Sequence, residues 1–360
     1  MNSISGKLSI LKMSLNILSA ALGSVFLAFV VLRFLAEILI MLNIFTIDVL
    51  TYIPPLVVIM LAVIGSVFLF LSGMRKAAFM QLAVSFLIFL FFGDHSLGTA
   101  LFGTRDAHAH TPDEIRVLAL NAQCYTKGAD KVFAFINEVK ADIVLLSEHD
   151  PEDLKDPDAL LIGGYKFYGS REDMAIITNR PVISFHEVDL PSYKVSLTKF
   201  NDLDTMDRNF HRAFAHAVVD LGGQPTHVIS IRFIAGRGKS NNPLDNLSWG
   251  KYLLGEQKKE VSFFKEYVKK LSGPIIFGGD LNAPYGSTPI RELKEIGKDA
   301  RLETNLFGGL TFRNENIPTM RLDYIYTGSP LVKPVSVEIL KTFISDHYPV
   351  LGTFVVSKAM

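Results

Sequence analysis

Six polar residues stand at or just past the ends of short apolar runs. Asn121 follows Ile115 to Leu120, and Glu148 follows Ala141 to Leu146. Asp280 and Asn282 follow Pro274 to Phe277, while Asp346 and His347 precede the last run, Val350 to Val356. Polar groups in such places can meet at one rim of a packed β structure while the apolar runs fill its core. Carboxylates gathered there repel one another unless a cation neutralises them. Hard oxygen donors favour Mg²⁺, Mn²⁺ or Ca²⁺ over zinc. The outline is that of a metal-assisted hydrolysis site.

The elements that must hold these groups are short and rich in β-formers. Besides the runs above, residues 174–178, 212–219, 227–233 and 321–326 read as strands. Lys131 to Val139 suits a helix, and Glu256 to Leu271 carries Val261, Phe264, Tyr267 and Val268 at helical spacing. Many strands with few helices between them predict an α/β chain of two packed sheets flanked by helices, a four-layer sandwich, rather than a doubly wound parallel sheet. His211, His216 and His227 read as strand residues, and Trp249 and Tyr252 as packing residues. The polar stretches 196–211 and 235–250 read as long loops shaping a substrate entrance.

The N-terminal quarter has a different composition. Three apolar stretches, about Met13 to Leu32, Ile53 to Leu71 and Ala77 to Phe92, approach the length needed to cross a bilayer, roughly 20 residues. They predict a transmembrane region of about three helices over residues 1–93, a linker over 94–113 and a catalytic domain over 114–358. Lys7 and Lys12 precede the first stretch, and Arg75 with Lys76 join the second to the third. Basic flanks on the cytoplasmic side place the catalytic domain outside, which predicts a multi-pass protein of the cell membrane, with the bilayer as a partner.

Five of the 36 basic residues and three of the 36 acidic ones lie before residue 104, leaving 31 against 33 in the rest. The catalytic part thus lacks the excess positive charge that holds a long polyanion non-specifically. That favours a small or head-group phosphate ester over a nucleic acid. With Cys124 as the only cysteine, no internal disulfide can form.

Several motifs in order carry a resemblance. Ala119-Leu120-Asn121, Asp142 through Glu148, Gly279-Asp280-Leu281-Asn282, Arg321-Leu322-Asp323-Tyr324 and Ser345-Asp346-His347-Tyr348-Pro349 resemble the successive motifs of the endonuclease/exonuclease/phosphatase superfamily, over roughly Glu114 to Val356. The resemblance implies a metal-dependent phosphoric ester hydrolase using Mg²⁺, or else Mn²⁺ or Ca²⁺. It implies that Glu148 is the principal metal ligand, with Asn121 and Asp346 near the metal. Asp280 would orient or deprotonate the attacking water, and Asn282 would donate to the phosphoryl oxygen. His347 would contact the phosphate or move a proton, with Asp323 fixing its tautomer.

Two departures stand out. Relatives carry a histidine where this chain has Arg232, which can clamp a phosphate but cannot act as an acid near neutral pH. Relatives also carry a glutamine where this chain has Ser147. An arginine at the position of Arg212 is common to relatives. Three readings follow: an outward-facing phosphodiesterase or phosphatase; an extracytoplasmic endonuclease or exonuclease acting on DNA or RNA; and a catalytically impaired, membrane-tethered binding protein. No protein partner is expected.

Overall fold

The computed structural model describes residues 13–14, 16–26, 28, 55–92, 114–150, 154, 156–170, 172–191, 212–234, 243–304, 309–314 and 317–358. The chain divides into two compact units, Met1–His95 and Ser96–Met360.

In the first unit, helices α1 (Pro55–Leu71) and α2 (Arg75–Phe92) are joined by a turn at Gly73, whose φ of 83° suits glycine. The Gln81 amide donates to the Ala62 carbonyl at 3.1 Å, tying α2 to α1. A further helical stretch, residues 16–26, brings Phe26 to stack on Phe68. Among the described residues no helix is long and apolar enough to cross a membrane. This overturns the expected multi-pass membrane location with its outward-facing catalytic domain; of the first expected span, residues 15, 27 and 29–32 lie outside the described residues. The physical reason is length and charge. At about 1.5 Å per residue, the 17 residues of α1 span about 26 Å, short of a hydrocarbon core of about 30 Å. α2 opens on Arg75 and Lys76, so its apolar part is shorter still. The expected linker, 94–113, lies outside the described residues.

The second unit is built on two six-stranded mixed sheets. In the first, the order is β13 (Val332–Ile339), β14 (Val350–Val356), β1 (Ile115–Asn121), β2 (Ile143–Ser147), β4 (Met174–Thr178) and β3 (Lys166–Gly169). In the second, it is β5 (Val182–Asp189), β6 (Ala213–Asp220), β7 (Pro225–Ser230), β8 (Ile275–Asp280), β12 (Asp323–Thr327) and β9 (Lys298–Asp299). A small hairpin pairs β10 (Phe312–Asn314) with β11 (Ile317–Met320). Within each sheet one central pair is parallel, β1 with β2 and β7 with β8, and the other neighbours are antiparallel.

Side-chain alternation along the central strands fills three layers of core. Val117, Ala119, Ile143 and Leu145 turn toward Ala215, Ala217, Val228 and Ile276 of the other sheet. Leu118, Leu120, Val144 and Leu146 turn the opposite way, onto Val132, Phe133 and Ile136 of helix α3 (Ala129–Val139). On the far side, Phe214, Ile229 and Phe277 meet Val261, Phe264 and Val268 of helix α4 (Pro243–Val268). Because both faces of these strands are covered, they read as continuous apolar runs without visible alternation. Each fully buried Val, Leu or Ile contributes about 1.5–3 kcal/mol. Two packed sheets with helices outside agree with the expected sandwich.

Helix α4 starts earlier than expected. Residues 243–250 are helical, where a loop was predicted. Pro243 stands at the first helical position, which suits proline, and Gly255 is tolerated within the helix at a cost of about 1 kcal/mol relative to alanine. The other expected entrance loop, 196–211, lies outside the described residues.

Candidate active site

The parallel strands end at the same rim, and there the polar residues gather. Asn121 closes β1 and Ser147 closes β2 as its register partner, followed at once by Glu148. In the other sheet Asp280 closes β8, opposite Asp323, which opens the antiparallel β12. The two glycines before Asp280 are required by close packing. A Cβ on Gly278 would strike the carbonyl of Tyr324, and one on Gly279, whose φ is 133°, would strike the carbonyl of Ile231. The sheets are stitched together here by Ser230 Oγ donating to the Leu146 carbonyl at 3.2 Å.

Asp280 is the hub. Its Oδ2 accepts from Asn121 Nδ2 at 3.0 Å and from Asn282 Nδ2 at 3.1 Å, and its Oδ1 accepts from the Asn282 backbone N–H at 2.9 Å. Asn282 Nδ2 also donates to the Phe233 carbonyl at 3.0 Å, so its amide hydrogens are turned into the protein. Donation from Asn282 to a phosphoryl oxygen, the expected role, would exchange one of these bonds. Burial pushes the Asp280 carboxyl up to about 7. His347 and Arg232 oppose the rise, and Asp323 and Glu148 add to it.

His347 Nδ1 lies 2.7 Å from Asp323 Oδ2, with both residues buried. Burial alone would lower the imidazole, but Asp323 and Asp280 outweigh it and hold it up at about 10. The ring is therefore a cation at neutral pH. Thr311 Oγ1 accepts from the backbone N–H of Asp323 at 3.1 Å, and Ser345 Oγ accepts from that of His347 at 3.1 Å. The guanidinium of Arg313, flanked by the rings of Tyr348 and Phe343, donates to the Ser345 carbonyl and braces the same loop.

Glu148 has a φ of +51° and points its Oε1 at Arg232 Nη2, 2.6 Å away. Arg232 Nη1 sits 2.8 Å from Asp173 Oδ2, and Nε lies 3.7 Å from Asp280 Oδ2. Burial opposes the charge on this guanidinium, but Glu148, Asp173 and Asp280 more than compensate and raise its pKa. Both Nη groups are thus engaged with carboxylates, and clamping a phosphate would exchange one of those contacts. Asp346 is reached through Gln123: its backbone N–H donates to Gln123 Oε1 at 3.1 Å, and the Gln123 N–H donates to Asn121 Oδ1 at 2.8 Å.

Six non-glycine residues with positive φ occur among the described residues, and Gln123, Cys124, Tyr125, Glu148 and Asn282 are five of them. Such backbone costs about 1–3 kcal/mol per residue outside glycine and collects at functional sites. Here it turns the chain directly after Ser147 and Leu281, and two residues after Asn121.

Among the described residues one group of ligand atoms lies close enough together to hold a cation. The ligand atoms of Asp280, Asp323 and His347 all lie within 4.8 Å of one another. Asp323 is already bonded to a protonated His347, which makes this group a holder of protons as it stands. Glu148, Asn121 and Asp346, the ligands the resemblance implies, are hard oxygen donors, with Asp346 linked to Asn121 through Gln123. The Glu148 carboxylate already faces a cation in Arg232. Its chemistry fits a divalent ion that prefers oxygen.

Asp173 and Gln123 are site residues that strand-end reasoning missed. Asp173 precedes β4, which runs antiparallel to β2, so the start of β4 and not its end reaches the rim. Arg212, assigned no firm role from sequence, bonds to Glu260 Oε1 at 2.8 Å and to the Arg232 carbonyl, fixing the backbone beneath the site. His216 and His227 lie away from the rim, on β6 and β7. Residue 211 lies outside the described residues.

Known proteins share this architecture. A crystal structure of an endonuclease/exonuclease/phosphatase from Bacteroides vulgatus superposes with a TM-score of 0.50 at 17% identity, covering 68% of this chain and 99% of that one. A family protein from Bacteroides thetaiotaomicron gives 0.50 at 16% identity, covering 69% and 100%. At such identities the likeness speaks for the fold. No curated protein matches the chain. The profile of the Endonuclease/Exonuclease/phosphatase family matches residues 118–347, more than half of the chain and all the site residues named above. The chain belongs to the endonuclease/exonuclease/phosphatase family, whose members are typically phosphoester hydrolases and generally depend on a divalent metal.

Proposed function

We propose that this chain hydrolyses a phosphate ester in a divalent-metal-dependent reaction, with Mg²⁺ as the ion and a small phosphodiester or monoester as substrate. The observation that carries the reading is the buried Asp280 carboxylate, held by Asn121 and Asn282 beside a cationic His347. A carboxyl raised to about 7 is matched to taking a proton from water near neutral pH. Asn121 and Asn282 fix its direction. His347, kept protonated by Asp323, offers its remaining ring nitrogen and its charge to a phosphoryl oxygen. Glu148, Asn121 and Asp346 would hold a divalent ion, which would supply Lewis-acid polarisation of the phosphoryl group. The small substrate follows from the charge balance, since the second unit carries no excess of basic residues for a long polyanion.

The test is release of p-nitrophenol from bis-p-nitrophenyl phosphate by the full chain with Mg²⁺ or Mn²⁺, set beside plasmid DNA under the same conditions. Metal-dependent release with inert DNA supports the proposal. Nicking of DNA without turnover of the small ester would replace it with a nuclease. No turnover of either, with both ions, leaves the binding-protein alternative and contradicts hydrolysis.

A further inference from the structure

Arg232 is surrounded by carboxylates. Glu148 Oε1 is 2.6 Å from one terminal nitrogen, Asp173 Oδ2 is 2.8 Å from the other, and Asp280 Oδ2 is 3.7 Å from Nε. The side chain is only 17% exposed, whereas those of Glu148 and Asp173 are 22% and 30% exposed. Its Nε is buried and makes no hydrogen bond. An arginine committed to a phosphate would keep a pair of N–H groups open toward solvent, because guanidinium meets phosphate through two parallel bonds. Here the two terminal nitrogens reach apart, to two different acids. The chain has built a cation into the group of carboxylates that a divalent ion would otherwise neutralise.

We infer that Arg232 is an intramolecular cation that occupies the Glu148 carboxylate until a divalent ion displaces it, and that Asp173 retains the guanidinium when it lets go. Asp173 is a positioning residue in this scheme. It is the acid bonded to Arg232 that stands furthest into solvent, and it precedes β4 on a rim where β2 delivers Glu148. Shared between two acids, the guanidinium can release one without becoming a bare buried charge, which would be costly. The consequence is a site whose carboxylates are partly neutralised and ordered without metal, and whose affinity for metal is set below what its oxygen donors alone would give. This rests on the proposed role of Glu148 as a metal ligand.

The experiment is Mn²⁺ binding to the full chain by isothermal titration calorimetry, with no substrate present. Glu148→Gln should weaken binding on the order of tenfold or more, since a charge-assisted ligand is lost. Arg232→Gln should tighten it by a similar factor, and should gain nothing in the Glu148→Gln background. Arg232→Lys keeps the charge but loses the fork that reaches two acids, and it should tighten binding as well. Asp173→Asn should weaken binding, because the displaced guanidinium loses its alternative partner. If Glu148→Gln leaves Mn²⁺ affinity unchanged, the metal assignment fails and the inference falls with it. If Glu148→Gln weakens binding while both Arg232 variants bind as wild type or worse, the inference alone is overturned. If Arg232→Gln tightens and Arg232→Lys does not, the effect is a diffuse field and direct competition is excluded. Should Arg232→Gln fail to fold, Arg232→Lys carries the decision.

Discussion

Asp280 and Asp323 are register partners on adjoining antiparallel strands, and both are buried, with His347 bonded to Asp323 and Arg232 Nε 3.7 Å from Asp280. Two acids in one buried group cannot both ionise freely without a compensating charge. The 2.7 Å bond from His347 to Asp323 divides the labour. Asp323 serves the imidazole, and Asp280 is held by Asn121 and Asn282.

Asp323→Asn removes the charge that keeps His347 protonated while preserving its shape. The expected loss in kcat is about 10²- to 10⁴-fold, the range of a positioned acid or base. Mn²⁺ affinity should stay close to wild type, because the proposed oxygen donors are Glu148, Asn121 and Asp346. Steady-state kinetics paired with a metal titration check both halves. A matching collapse in metal affinity would place the ion on the Asp280, Asp323 and His347 group instead.

The pH profile follows from two raised groups. A base must be ionised, so kcat/KM should rise through about 7 as Asp280 loses its proton. It should fall again near 10, where His347 deprotonates. A divalent ion bound at the site would favour the carboxylate and move this limb to lower pH. Rates measured from pH 5 to 10.5 test this: a profile flat from pH 5 to 9 contradicts the role of Asp280, and one that stays level to 10.5 contradicts that of His347.

Arg321 belongs to the same motif as Asp323 but does different work. Its two terminal nitrogens meet Asp299 at 2.6 and 2.8 Å, in full burial, and its guanidinium lies over the Tyr324 ring. Arg321→Met should strand the Asp299 charge and cost about 3–5 kcal/mol of stability. Urea denaturation measures the loss. The kcat of the folded enzyme at low temperature should be little changed.

Much of this was readable in the sequence, and the failures have physical causes. Asn121, Glu148 and Asp280 were legible as neighbours because each follows an apolar run that is buried on both faces, and parallel strands bring such ends to one rim. Asp173 was not, because its strand runs the other way. β5 and β13 were missed because they are edge strands with mixed exposure and no continuous apolar run. The reading of α1 and α2 as membrane spans went astray on length, since apolar composition alone does not show where a helix stops. The partnership of Arg232 with two acids left no trace in spacing at all.

One group outside the site should be visible in acid. His216 Nε2 meets His227 Nδ1 at 2.9 Å, and its Nδ1 meets the Tyr267 hydroxyl at 2.6 Å. Burial, then His227 and His186, lower its pKa to about 4, and burial lowers that of His227. The unfolded chain therefore binds more protons than the folded one between about pH 6.5 and 4, and stability is lost as pH falls through that window. Melting temperatures at pH 7.5, 5.5 and 4.5 should decline by several degrees, and His216→Asn should shallow the decline. An unchanged slope in the variant would remove His216 as its source.

The most direct test of the whole account is the rate of bis-p-nitrophenyl phosphate hydrolysis by Asp280→Asn at saturating Mg²⁺, with the melting temperature measured on the same sample. A near-isosteric change at the hub should lower kcat by about 10³-fold or more while leaving the chain folded and Mg²⁺ bound. A folded, metal-bound variant that turns over within tenfold of wild type would show that the chemistry is done elsewhere.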